Sequence, residues 1–119
     1  MSSLYERLGA EQGIRRIVDD VVANHLANPQ VNARFRHVKD LDHLKEMACQ
    51  FFCMGSGGPN NYQGKDMRSA HQGMNISEQE YLSVMDDIVA ALQKHGVDDA
   101  SRGEVVAILY SLKNDVIRV

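Results

Sequence analysis

The chain has 119 residues, 44% of them hydrophobic and 24% charged, with a formal charge of -3 and a pI near 5.9. That length suits one domain able to bury roughly two-thirds of its unfolded surface, and the acidic balance gives no basic footprint for nucleic acid. No apolar run approaches the roughly 20 residues of a membrane span, and the opening "MSSLYERLGAEQG" lacks the basic and apolar segments of an export signal, so a cytoplasmic monomer is expected.

In chain order, Ile14, Ile17, Val18, Val21, Val22 and Leu26 recur at helical spacing, and Pro29 closes that helix. A short amphipathic piece follows from Val31 to Phe35. The stripe of Leu41, Leu44, Ala48, Phe51 and Phe52 predicts a helix from about Lys39 to Met54, stopped by Gly55. Ser77 and Glu80 in "SEQE" have the spacing of a capping box. They open a helix with Tyr81, Met85, Ile88, Val89 and Leu92 inward and Gly96 as its stop. "SRGE", Ser101 to Glu104, repeats the spacing and is expected to open the last helix, burying Val105, Ile108, Leu109, Leu112 and Val116. No run alternates as a strand does. The class is all-α.

Cys49 and Cys53, four apart on one helix, are expected to be two small buried thiols. Their outward side chains do not favour a bridge. A zinc site with His37 and His43 would lack the two-residue spacing and the second cysteine pair of a zinc ribbon.

Residues 55–73 hold five of the nine glycines and the run "PNN". A loop this long inside a compact domain is usually functional or disordered. Tyr62, Met67 and Met74 give it apolar anchors, which favours function, and its glycines would let the backbone approach a bulky ligand. Four of the five histidines read as surface residues: His95 and His25 near helix ends, where a cation suits the dipole, and His37 and His43 beside a charged turn. His71 differs, with Met67, Ala70 and Met74 around it at helical spacing. It is either a hydrogen-bonded core residue or a ligand. No carboxylate or cysteine stands within ligand spacing of it, but haem iron, already held by four porphyrin nitrogens, needs only one protein ligand. A haem wants an apolar slot with a few polar groups at its edge. Phe35, Leu44, Phe51, Phe52, Met67, Met74 and Met85 suit the slot, and Tyr62, Lys65 and Arg68 suit the propionate edge.

These motifs resemble the truncated haemoglobins of group I over nearly the whole chain. The resemblance rests on "LYERLG", on "GGPNNYQG" with Tyr62, and on "MRSAHQGMNIS", which carries His71 and Ile76. Phe35 falls on the family's phenylalanine at the turn, and Phe51 and Phe52 on its distal-helix aromatics. The resemblance implies a two-over-two helical globin, a haem b held by His71, reversible binding of oxygen, carbon monoxide or nitric oxide, apolar ligand tunnels and an electron-supplying reductase as partner. On the distal side the sequence departs from the family. Where most members carry a tyrosine in the second helix and a glutamine in the distal helix, this chain has Val22 and Ala48, with Leu44 at the usual distal-histidine position. None of the three donates a hydrogen bond, so nitric oxide dioxygenase chemistry lacks its usual support. Met47, three residues after Leu44, and His43 are the candidates for a sixth iron ligand, which would instead make a redox or sensor protein.

Overall fold

The computed structural model describes residues 2–119. The chain starts with a single turn, α1 (Leu4–Arg7), closed by a capping box in which the Ser3 hydroxyl accepts from the Glu6 N–H and the Glu6 carboxylate from the Ser3 N–H. Gly9 then adopts φ 95°, a left-handed conformation that glycine reaches without strain, and turns the chain into α2 (Ala10–Ala27). The two helices touch at Gly13, where an added Cβ would collide with the Leu8 carbonyl.

α2 carries the buried stripe of Ile14, Ile17, Val18, Val21 and Val22 and packs against both α3 (Leu41–Gly55) and α5 (Glu78–Lys94). α6 (Asp99–Ser111) packs against α5 and α1. The pairs α2–α3 and α5–α6 make two helical layers, the two-over-two arrangement expected. Ile14, Val18 and Leu92 are at most 2% exposed, each worth roughly 1.5–3 kcal/mol of apolar burial. Among the described residues there is no strand; one isolated parallel bridge joins Ile76 to Ile117. Short 3-10 turns occupy residues 32–34 and 113–115.

The helix spacings predicted α2, α3 and α5 to within a few residues. The Ser77–Glu80 capping box opens α5, and Gly96 follows it with φ 72°. Ser101 is different from expectation. Asp98 caps α6, its carboxylate accepting from the Ser101 N–H, so the helix starts at Asp99 and Ser101 lies inside it. An ionised carboxylate at the helix start outcompetes a hydroxyl three residues later. Ser101 is fully buried, and its hydroxyl accepts a 3.0 Å hydrogen bond from the Arg7 guanidinium, which also pairs with Glu104 and ties α1 to α6. Val116 lies past the end of α6, in a second apolar cluster with Ile76 and Tyr81.

Both cysteines are buried and free, and burial pushes the Cys49 thiol up to about 12. No group of three or more metal-ligating side chains occurs among the described residues. Two of the loop glycines have a structural reason of their own: side chains on Gly58 and Gly64 would collide with the rings of Tyr5 and Tyr62. Their close approach is to the protein's own tyrosines.

In an ordinary helix Gly→Ala gains about 0.5–1 kcal/mol. At Gly13 the collision with Leu8 reverses the sign, and Gly13→Ala should lower stability by about 1–3 kcal/mol, read as a lower urea midpoint at an unchanged m-value.

Candidate functional site

The glycine-rich loop ends in α4 (Met67–His71), a five-residue helix with His71 in its last turn. Helices this short do not hold themselves in water. This one is held by its surroundings: Met67 and Met74 pack on Ile76, Tyr81 and Val116, and Gly73 N–H reaches the Val119 carbonyl at 3.2 Å. Arg68 reaches the 113–115 turn, with a 3.4 Å bond to the Asn114 carbonyl and a 3.8 Å ion pair to Asp115. The C-terminal segment therefore sets where His71 stands.

His71 Nδ1 lies 2.8 Å from the Met67 carbonyl. A carbonyl only accepts, so Nδ1 carries the proton, and in the neutral ring Nε2 keeps its lone pair. His71 opens on a cavity of about 190 Å³ whose other walls include Phe35, Met74, Ile76, Tyr81 and Val84. The lining is mostly apolar, and its polar members are nearly all paired. Arg34 donates to both Glu80 oxygens at 2.8 and 3.0 Å and to the Met74 carbonyl at 2.8 Å. Tyr81, whose burial raises its phenol, donates to the Leu109 carbonyl at 2.5 Å.

Beside α4 an open groove of about 540 Å³ is lined by His43, Met47, Tyr62, Lys65 and Ala70. Ala70 precedes His71, so the groove and the cavity flank the same short helix. The Tyr62 hydroxyl donates to the Lys65 carbonyl at 2.5 Å, and its ring meets Phe51 edge-on at 5.4 Å. The predicted residues thus do not all share one site. Phe35, Met74 and Ile76 share the cavity with His71, while Met67 and Met85 pack behind Ile76 and Tyr81. Met47, His43, Tyr62 and Lys65 share the groove. Phe51 and Phe52 line a smaller hollow with Leu4, Leu8 and Leu109, while Ala48 packs on the main core and Leu44 is half-buried.

His25 is the site residue that sequence reasoning misplaced. It was expected at the surface, but it is only 7% exposed, lines the cavity, stacks on Phe35 at 5.4 Å and 14°, and has Nδ1 2.8 Å from an Asp87 oxygen. Asp87 lies 62 residues away on α5, a pairing that no local spacing announces. Its one sequence signal is that Ile14, Ile17, Val18, Val21, Val22 and His25 continue one helical stripe. His37 and His43 are exposed as expected, and His95 caps α5 with Nε2 2.6 Å from Asp20.

An all-helical two-layer fold with His71 at an apolar cavity fits a globin of the shortened kind. The chain belongs to the bacterial-like globin family, whose profile matches residues 3–118. It is 31% identical over 115 residues to the group 1 truncated haemoglobin of Tetrahymena pyriformis, covering 97% of this chain and 94% of that one. The group 1 truncated haemoglobin of Mycolicibacterium paratuberculosis is 26% identical over 97% of this chain and 84% of its own. Among solved structures, the Fe(III) form of the Tetrahymena protein superposes with a TM-score of 0.95 at 30% identity, covering 99% of this chain and all of that one. The two-over-two haemoglobin of Synechococcus, in the cyanomet state with covalently attached haem, gives 0.89 at 29% identity and 98% coverage of each.

Hydrogen bonds from Arg34 hold the Glu80 carboxyl down at about 2, against the usual 4.5. A depressed folded-state value means that the stabilisation is full above about 4.5 and is lost as pH falls towards 2. Glu80→Gln should lower stability at neutral pH by about 1–2 kcal/mol, allowing for partial exposure. It should also flatten the acid limb between those pH values, measured by denaturant melts across the range.

Proposed function

We propose that the chain binds haem b through His71 and holds a diatomic gas, oxygen, carbon monoxide or nitric oxide, in a mostly apolar pocket. The observation that carries this reading is the 2.8 Å contact from His71 Nδ1 to the Met67 carbonyl. It fixes the tautomer and leaves Nε2 bare on a residue that lines an apolar cavity, an arrangement that metal-ligating histidines share. Phe35, Met74 and Ile76 would pack on the macrocycle, and Lys65 at the open groove would meet its propionates. Bound haem supplies the iron that takes the gas; the protein supplies the axial ligand, the apolar walls and the exclusion of water.

His71→Ala is expected to abolish stoichiometric haem binding, or to leave haem that becomes ordered only with added imidazole. Haem content and the ferrous absorption spectrum of wild type and variant check this. A variant that keeps the wild-type ferrous spectrum would sink the reading.

The distal positions inferred by resemblance, Val22, Leu44 and Ala48, offer no donor. Val22 is buried inside the main core, whereas Leu44 is half-buried and easier to replace without disturbing that core. Leu44→Gln should therefore slow oxygen dissociation roughly tenfold if the new bond contributes about 1.4 kcal/mol. Stopped-flow displacement of oxygen by carbon monoxide measures it, and an unchanged rate would count against an unassisted oxygen complex.

A second reading has one observation behind it. Met47 and Ala70 line the same groove, so α3 presents Met47 beside the His71 helix. A thioether on the iron would make a six-coordinate redox or sensor protein, with exposed His43 the other candidate. A low-spin ferrous spectrum without gas supports this reading, and a high-spin one supports the open pocket.

A further inference from the structure

Between His71 and the Ser77 cap of α5 the chain forms no helix. It passes twice through left-handed backbone, at Gly73 with φ 86° and at Asn75 with φ 51°. A segment without a repeating hydrogen-bond ladder takes its shape from the groups that hold it one by one. Residues 118 and 119 hold it at two points: Gly73 N–H donates to the Val119 carbonyl at 3.2 Å, and Arg118 N–H to the Ile76 carbonyl at 2.9 Å. A guanidinium holds it at a third. Arg34 Nη1 donates to the Met74 carbonyl at 2.8 Å, and Met74 N–H donates to the His71 carbonyl at 3.0 Å. Met74 is thus bonded to Arg34 through its oxygen and to His71 through its nitrogen.

The guanidinium is itself fixed. Its Nε and Nη2 donate to the two Glu80 oxygens at 2.8 and 3.0 Å. Glu80 Oε1 also accepts from the Ser77 N–H at 3.1 Å, within the capping box that opens α5. The carboxylate is anchored to a helix start, the guanidinium to the carboxylate, and the Met74 carbonyl to the guanidinium. We infer that Arg34 is a positioning residue for His71, setting where the imidazole stands through the backbone of Met74. The inference rests on the haem reading given above, in which His71 is the axial ligand. The role needs a planar fork that spans Glu80 and Met74 together. A lysine keeps the charge but lacks that fork. Arg7 provides a matched control: its guanidinium pairs with Glu104, bonds Ser101 at 3.0 Å, and lines neither the cavity nor the groove.

The test uses the full-length, haem-loaded protein. Its ferric form reports the rate of haem loss to an excess of a haem-free globin acceptor. Its ferrous carbon monoxide complex reports the NMR position of the His71 Nδ1 proton. In Arg34→Lys haem loss should accelerate roughly tenfold, the lower end of what a hydrogen bond to a charged group contributes, and the His71 proton should move from its wild-type position. Arg7→Lys should leave both readouts at their wild-type values. Glu80→Gln removes the carboxylate that holds the fork, so it should change both readouts in the same direction, and it serves if the lysine variant does not fold. An unchanged rate of haem loss in Arg34→Lys overturns the inference while the haem reading stands. Equal changes in Arg7→Lys assign Arg34 to general stability and overturn it too. Faster haem loss with an unmoved His71 proton means that Arg34 holds the haem by another route, which also overturns it. A wild-type protein that takes up no haem overturns both.

Discussion

An apolar helix that must be covered on two sides governs this structure. The inward stripe of α2 runs for most of its 18 residues, and no single neighbouring helix is wide enough to cover it. α3 covers one flank and α5 the other, and α6 then packs behind α5. The apolar area this removes from water is the main source of stability. Once those helices are placed, the loop between α3 and α5 has no core of its own. It has to cross the gap between two finished layers, and α4 hangs there with His71 at its end. The site lies where the packing leaves room.

The cavity is chemically sparse for the same reason. A polar group left unpaired beside apolar walls costs about 1–3 kcal/mol, and this chain leaves few. Arg34 closes one side by holding Glu80 and the Met74 carbonyl together, joining the 32–34 turn to the start of α5. Tyr81 turns its hydroxyl away to α6. Against that background two imidazoles with tied Nδ1 atoms and free Nε2 atoms stand out. One is tied to its own helix by a carbonyl and the other to a neighbouring helix by a carboxylate.

The sequence revealed most where forces are local. Helical stripes and the Ser77–Glu80 box carry their information within a few residues, so α2, α3 and α5 could be read off directly. α1 was overlooked because one turn is too short to show a period, although Ser3 and Glu6 have the capping spacing. Ser101 was misread because two good caps stand three residues apart and only burial shows which is used. His71 was legible from its apolar neighbours. His25 was not, since its role depends on Asp87, Phe35 and Asn28 meeting in space. Phe51 and Phe52 were expected in the haem slot for their apolar rings and for their match to the family's distal-helix aromatics, and they line the hollow between α3, α1 and α6.

The account depends most on His71 holding iron through Nε2 while Nδ1 stays on the Met67 carbonyl. A crystal structure of the haem-reconstituted protein measures both contacts at once. The account predicts iron bonded to His71 Nε2, with the Nδ1 to Met67 distance still close to 2.8 Å. Iron on another side chain, or a cavity that stays empty when haem is supplied in excess, would contradict it.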